Sequence, residues 1–157
     1  NGEFQPFGED TFEVVVAYNS LQNVDDLTKT IREIARVLKP SGKLCACIAH
    51  PASDAGRFQG AEATAPFVIN GSYYGPRRID EKVEQGGLEM TFHGWAYSLE
   101  EYTRALEQSG LAIDLIREPR PSDAAVARRP SLARWQRLPL FMFFRAEKRA
   151  GSPPESP

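Results

Sequence analysis

A β-α-β pattern over residues 11–51 constrains the fold of this chain more than any other feature. Within "TFEVVVAYNSLQNVDDLTKTIREIARVLKPSGKLCACIAHP", residues 12–17 form a nearly continuous β-branched run. Such a run predicts a central strand that is covered on both faces of a parallel sheet. Apolar residues then recur at helical spacing, and "KLCACIA" predicts a second buried strand. A crossover of this length predicts two parallel, adjacent strands with a right-handed connection.

Short polar signals set the boundaries of this unit. Asp25 or Asp26 is expected to cap the helix, and this capping explains the two adjacent carboxylates better than a metal site does, so no metal is predicted. At the other end, Pro40 keeps the preceding residue out of the α region, and Gly42 is expected to supply the positive φ of a tight turn. The helix therefore ends close to residue 39.

Composition excludes several classes of protein. With 157 residues, of which 41% are hydrophobic and 25% charged, the chain suits one globular domain. The formal net charge of -2 disfavours nucleic acid as a partner. The sequence contains no secretory signal and no apolar run near the roughly 20 residues of a membrane span, so we predict a cytoplasmic protein without a membrane partner.

The segment 52–97 is rich in glycine, proline and aromatic residues, and only "LEMTFHGWAY" resembles a strand. Long irregular excursions in a compact domain are usually lids or disordered segments. Aromatic density argues against disorder. We therefore interpret 52–97 as a lid or substrate-side insertion.

Regular secondary structure is predicted again from Ser98, where "SLEE" indicates a capping box with Glu101 and a helix that ends at Gly110. A strand, "LAIDLIREP", and an arginine-rich segment that contains Pro130 come next. The last strand is "LPLFMFFRAEKR", and residues 150–157 are expected to be a disordered tail.

The segments "PFGEDTFEVVVAYNSLQNVDD" and "EIARVLKPSGKL" resemble class I S-adenosylmethionine-dependent methyltransferases of the small-molecule, type 11-like branch. The resemblance implies an α/β fold in which residues 1–149 form the C-terminal part of one methyltransferase domain. That part would be a partial Rossmann-like sheet of parallel strands with an antiparallel last strand between "KLCACIA" and "LAIDLIREP", plus the lid-like insertion.

The same resemblance implies an enzyme that transfers a methyl group from S-adenosylmethionine to a small organic acceptor. The family's Gly-rich cofactor loop precedes the matched region, so we interpret the chain as an incomplete fragment of a parent protein, inactive alone. Its unpaired strand edge predicts poor solubility or a homo-oligomer. The alternative is a non-catalytic, methyltransferase-like interaction or dimerisation module, and a nicotinamide-dependent reductase is a more distant one.

The resemblance also suggests which residues meet the cofactor. Asn1 and Gly2 match the position near the adenine group, and Ala17, Tyr18 and Asn19 match the strand end near the methionine part. Position supports the second group independently, because parallel-sheet enzymes bind ligands at the carboxyl ends of their strands.

On the substrate side, His50 directly follows the second predicted strand and is the candidate general base. A loop-bonding role for His50 is the equal alternative. Asn23 stands where many relatives have histidine, and it can orient a substrate but cannot titrate. The remaining candidates lie in the aromatic segment: Tyr73, Tyr74, His93 and Trp95.

Overall fold

A four-stranded mixed sheet forms the centre of the computed structural model, which describes residues 6–150. Two short 3-10 helices, Leu21–Asn23 and Pro130–Gln136, complete the regular structure. In chain order, the strands and α-helices are β1 (Phe12–Tyr18), α1 (Leu27–Val37), β2 (Leu38–Ala49), α2 (Pro51–Asp54), β3 (Gly56–Phe58), β4 (Phe67–Ile69), β5 (Arg77–Gln85), β6 (Leu88–Ala96), α3 (Leu99–Gln108), β7 (Leu111–Arg117), α4 (Asp123–Arg128) and β8 (Phe141–Lys148).

The sheet has the strand order β1-β2-β8-β7. β1 and β2 are parallel, and β8 runs antiparallel to both of its neighbours. The predicted insertion of the last strand between β2 and β7 is therefore confirmed. Because β8 is antiparallel to both β2 and β7, β7 runs parallel to β1 and β2.

The hydrophobic core lies on one face of this sheet, beneath α1 and α3. Leu44, Ile48 and Phe144 point into it from neighbouring strands, and Ile31 and Leu106 meet them from the helices. Each of these side chains is at most 2% exposed. The apolar helix stripes expected from the sequence are therefore buried, except at Leu99, which was expected in the stripe of α3 and is 38% exposed.

The opposite face of β1 differs from the prediction. The β-branched run was expected to be covered on both faces, but Val14, Val16 and Tyr18 are 53%, 70% and 68% exposed. Within residues 6–150, β1 is an edge strand, and both long helices pack on the other face. The prediction of a buried central strand is therefore wrong for the described part of the chain.

Both ends of α1 follow local chemistry. Asp26 is the cap, and its carboxylate accepts a 2.9 Å hydrogen bond from the N–H of Lys29. At the other end the positive φ of 63° belongs to Ser41 and not to Gly42, which corrects the prediction. Gly42 is required for a different reason, since a Cβ there would lie 2.8 Å from the carbonyl oxygen of Lys39.

The segment 52–97 is more ordered than expected. β3 pairs with β4, and β5 pairs with β6 as a hairpin of two nine-residue strands whose turn places Gly86 and Gly87 at positive φ. The expectation of a single strand is wrong, because "RRIDEKVEQ" is a charged segment without the apolar alternation that predicts a strand.

The second half of the chain agrees with its sequence signals. Ser98 and Glu101 form the predicted capping box, and Gly110 follows α3 with φ 72°. The arginine-rich segment forms α4 and the second 3-10 helix. Asn1 and Gly2, together with residues 151–157 of the predicted tail, lie outside the described residues.

Two further observations apply to residues 6–150. None of the helices there has the length and apolar character needed to cross a bilayer. The same residues contain no cluster of three or more histidine, cysteine or acidic side chains arranged to hold a metal ion.

Candidate active site

Three parallel strands end at the same edge of the sheet, and a polar residue directly follows each of them. Asn19 follows β1, His50 follows β2 and Glu118 follows β7. The antiparallel strand β8 begins at this edge too, since the N–H of His50 donates to the carbonyl of Leu140, the residue before β8. Ligands of parallel α/β sheets bind at this edge, which makes it the candidate active site.

Asn19 adopts a left-handed conformation, with φ 48°. Its N–H donates to the carbonyl of Cys47 on the neighbouring strand at 2.9 Å, and its own carbonyl accepts a 2.9 Å bond from Nδ2 of Asn23. The thiol of Cys47 lies 3.6 Å from Oδ1 of Asn19, and burial raises the pKa of that thiol. The backbone is thus fixed in a conformation that asparagine tolerates better than most residues.

The other two residues predicted at this strand end have different surroundings. Ala17 is 6% exposed and belongs to the core, whereas Tyr18 is on the open face of β1. Within residues 6–150, neither the hydroxyl of Tyr18 nor Nδ2 of Asn19 has a hydrogen-bond partner. These two groups are therefore available to a ligand.

His50 caps the short helix α2 and uses both ring nitrogens. Nδ1 accepts the N–H of Ala52 at 3.1 Å, and Nε2 lies 2.9 Å from Oε1 of Glu118. A backbone N–H can only donate, so the neutral imidazole carries its proton on Nε2 and donates it to Glu118. In this arrangement His50 has no lone pair left for a substrate proton.

Glu118 was missed by the sequence analysis. Its side chain is 55% exposed, compared with 14% for His50, so its carboxylate is the accessible member of the pair. The signal that could have found it is positional, because Glu118 directly follows the third parallel strand. Recognising that signal requires knowing that β7 is parallel to β2.

The hairpin β5–β6 approaches the edge through Gly94. A Cβ at that position would lie 3.0 Å from the carbonyl of Gln22 and 3.1 Å from Oδ1 of Asn23. Asn23 therefore contacts both the insertion and Asn19. Trp95 comes next on β6 and packs against the core, with its ring 6.5 Å from that of Tyr97.

The other predicted insertion residues lie apart from these contacts. His93 is on the exposed hairpin, where its Nδ1 is 2.6 Å from Oδ1 of Asp80 and lowers the pKa of that carboxyl. The hydroxyl of Tyr73 accepts the N–H of Leu99 at 3.1 Å, and Tyr74 is 76% exposed. Among the described residues, none of the three forms a hydrogen bond or ion pair with Asn19, His50 or Glu118.

A cleft of about 610 Å³ opens beside the end of β2. We call it the arginine cleft and define it by Arg57, Arg77 and Arg134, with Phe58 and Trp135 forming its aromatic wall. Ser53 of α2 and Leu140 also line it, and both bond to His50. Oγ of Ser53 donates to the carbonyl of His50 at 2.8 Å, and the N–H of His50 donates to the carbonyl of Leu140 at 2.9 Å. The cleft is therefore continuous with the candidate active site.

Comparison with known proteins identifies this architecture. Residues 1–46 match the family model described as a methyltransferase domain. The chain superposes on an S-adenosylmethionine-dependent methyltransferase from Mesorhizobium loti with a TM-score of 0.72 and 22% identity, covering 94% of this chain and 66% of that one. The resemblance to class I S-adenosylmethionine-dependent methyltransferases is confirmed. A methyltransferase of the same description from Methanosarcina mazei gives a TM-score of 0.57 and 14% identity, over 96% of this chain and 66% of that one.

Curated methyltransferases match over a shorter stretch. The ubiquinone/menaquinone biosynthesis C-methyltransferase of Desulfotalea psychrophila is 46% identical over 43 residues, which is 27% of this chain and 17% of the relative. The demethylmenaquinone methyltransferase of Mycobacterium marinum is 43% identical over 42 residues, 27% of this chain and 18% of the relative. The chain covers less than a fifth of either relative.

Proposed function

We propose that the full-length protein transfers a methyl group from S-adenosylmethionine to a small organic acceptor in the cytoplasm. One observation carries the proposal: Asn19, at the end of the strand that matches the methyltransferase family, lies at the same sheet edge as the bonded pair His50 and Glu118. That edge offers cofactor contacts and a proton acceptor side by side.

The groups at the end of β1 fit the amino-acid part of the cofactor. The amide nitrogen of Asn19 can donate to a carboxylate, and the exposed hydroxyl of Tyr18 can donate or accept. Ala17 contributes a small buried side chain that leaves the strand end open. When bound, the cofactor supplies an electrophilic methyl group. Asn1 and Gly2 remain candidates for the adenine contact.

We further propose that His50 and Glu118 act as one unit on the acceptor. The Nε2 proton of His50 fixes one carboxylate oxygen of Glu118, so Glu118 is the group that accepts a proton from an acceptor hydroxyl or amine. His50 is then the positioning residue rather than the base itself. Methyl transfer also gains from holding the acceptor in line with the methyl group, a task for Asn23 and for the insertion that carries Trp95.

This chain alone is proposed to bind the cofactor poorly. None of its 12 glycines forms a Gly-x-Gly sequence, the pattern of a phosphate- or cofactor-cradling loop between a strand and a helix. The chain covers 66% of the Mesorhizobium loti structure, and we propose that an additional part of the fold supplies this loop and covers the open face of β1.

Calorimetry with S-adenosylmethionine tests the proposal. We expect clear binding by the full-length protein and little by residues 1–157 alone. Asn19→Gly should weaken binding by about tenfold, because it removes one polar contact while glycine retains the left-handed backbone. Asn70→Ala is the matched control, since the side chain of Asn70 is exposed on the insertion.

A full-length protein that does not bind the cofactor at millimolar concentration would overturn the enzyme proposal. The exposed apolar face of β1 would then favour the alternative, a methyltransferase-like module that binds a partner or dimerises.

A further inference from the structure

The arginine cleft carries an excess of positive charge. Four cationic side chains line it, those of Arg57, Arg77, Lys82 and Arg134, compared with two carboxylates. Lys82 is paired with Glu89 at 3.0 Å, and one of the two carboxylates, Asp80, is held by His93. The three arginines thus dominate the charge of the cleft.

Arg134 is the most constrained of the three. Its guanidinium lies 5.6 Å from the ring centre of Phe58 and 5.8 Å from that of Trp135, so two aromatic side chains shield it from water. Nη1 donates to the carbonyl of Gly60 at 2.6 Å, but Nε is buried and has no acceptor within residues 6–150. A buried donor without an acceptor is costly, and a shielded guanidinium attracts an anion strongly.

Arg57 and Arg77 extend this charge toward the mouth of the cleft. Arg77 donates to the backbone carbonyl of Asp54. Asp54 is the second carboxylate that lines the cleft, so four cationic side chains stand against two carboxylates there. The lining of the cleft therefore carries an excess of positive charge.

The walls of the cleft add a shape preference. Phe58 packs edge-on against Trp135 with ring centres 5.0 Å apart, so two perpendicular rings form an apolar corner next to the guanidinium of Arg134, and each ring presents a flat face. Arginine recognises carboxylate and phosphate through its planar fork, and aromatic walls favour a planar neighbour. These features select a flat molecule with an acidic group at one end.

We propose that the arginine cleft binds the carboxylate or phosphate group of a planar, anionic methyl acceptor. The assignment to an acceptor rests on the proposed function, because the cleft adjoins His50 through Ser53 and Leu140. The anion anchors in the cleft, and the atom to be methylated faces the ends of β1 and β2. The binding site itself is independent of the cofactor.

Binding of simple probes tests the site. Benzoate and phenyl phosphate represent the two acids, inorganic phosphate tests the anion without the ring, and benzamide and benzylamine are neutral and cationic controls of the same shape. Titrations of residues 1–157, and of the full-length protein, are followed by the fluorescence of Trp135 in a Trp95→Phe background. We expect benzoate or phenyl phosphate to bind, and benzamide and benzylamine to bind at least about tenfold more weakly.

Two variants separate recognition from folding. Arg57→Gln alters an exposed side chain, and Arg134→Lys keeps the charge but loses the planar fork; each should weaken binding of the preferred acid by about tenfold. Arg32→Gln, an exposed arginine on α1, should leave it unchanged. Equal affinity for benzoate and benzamide, tighter binding of benzylamine, or unchanged affinity in both arginine variants would overturn the proposal.

The outcome is distinguishable from that of the cofactor experiment. If benzoate binds in an arginine-dependent manner but the full-length protein does not bind S-adenosylmethionine, the anion site stands and the methyltransferase proposal fails. If the cofactor binds and the acids do not, the methyltransferase proposal stands and the anion site fails.

Discussion

Nε2 of His50 lies 2.9 Å from Oε1 of Glu118 and so connects the end of β2 to the end of β7 across the start of β8. The bond joins residues that are 68 positions apart in the sequence. It also orients the imidazole, because Nδ1 is occupied by the N–H of Ala52. The accessible proton acceptor of the pair is the carboxylate.

The first prediction follows from this pair. Glu118→Gln should lower kcat for the proposed methyl transfer by the full-length protein about a hundredfold, since an amide cannot accept a proton under working conditions. His50→Gln should have a smaller effect, because it disturbs the position of Glu118 without removing the acceptor. Steady-state kinetics against pH would check both variants. A larger loss for His50→Gln than for Glu118→Gln would assign the base to the imidazole instead.

The second prediction concerns Asp26 and acid stability. The hydrogen bond from the N–H of Lys29 lowers the pKa of the Asp26 carboxyl. Because the folded pKa is below the ordinary value near 4, the stabilisation is complete above that value and is lost as the pH falls through the folded pKa. Urea unfolding should show Asp26→Ala costing about 1 kcal/mol at neutral pH. This difference should shrink in acid.

Asp26→Asn provides the control for that titration. Its side-chain oxygen can still cap α1, but the side chain does not titrate. The variant should therefore retain most of the stability at neutral pH and lose less of it on acidification than the wild type does. Parallel pH profiles for the two proteins would refute the assignment.

The third prediction concerns the contact between the hairpin β5–β6 and the 3-10 helix Leu21–Asn23. A methyl group at Gly94 would lie about 3 Å from the carbonyl of Gln22 and the side chain of Asn23, so Gly94→Ala should shift β6 away from the strand end. We expect kcat/KM for the acceptor to fall by about tenfold while cofactor binding is retained. Gly8→Ala is the matched control, because its nearest contact would be an ordinary 3.6 Å from Thr11 Oγ1. Equal effects of the two substitutions would contradict the prediction.

The fourth prediction concerns self-association. Val16 is 70% exposed on the edge strand β1, so residues 1–157 should form oligomers or aggregate at high concentration. Val16→Lys should shift the sedimentation profile toward the monomer. Ile69→Lys makes the same apolar-to-charged change at a 59% exposed position on β4, and it should not shift the sedimentation profile. A wild-type chain that is already a stable monomer would refute the role assigned to this face.

Local signals predicted the frame of the fold well. The helix α1, the capping box at Ser98 and the positions of β2 and β8 follow from apolar periodicity and short polar motifs. The order of the strands came from the family resemblance rather than from the pattern itself. Apolar content alone could not show that one face of β1 is open, because the same residues suit a covered strand and an exposed edge.

The site was predicted less completely than the fold. Asn19 and His50 could be found because each follows a strand that is apparent in the sequence. The partner of His50 could not, since pairing it with Glu118 depends on the direction of a strand far along the chain. The arginines of the cleft come from three separate segments, and sequence proximity gives no hint that Arg57, Arg77 and Arg134 converge.

The position of β8 sets an order on the biosynthesis of this protein. β1, α1 and β2 emerge from the ribosome before β7 and β8, and β1 and β2 can pair as soon as both strands are available. β7 has no strand to pair with in the four-stranded sheet until β8 has been translated, because β8 lies between β7 and β2. The contact between His50 and Glu118 therefore cannot form until β8 has been translated. A nascent chain that stalls before residue 141 contains the stretch that matches the methyltransferase family model but not the assembled candidate site.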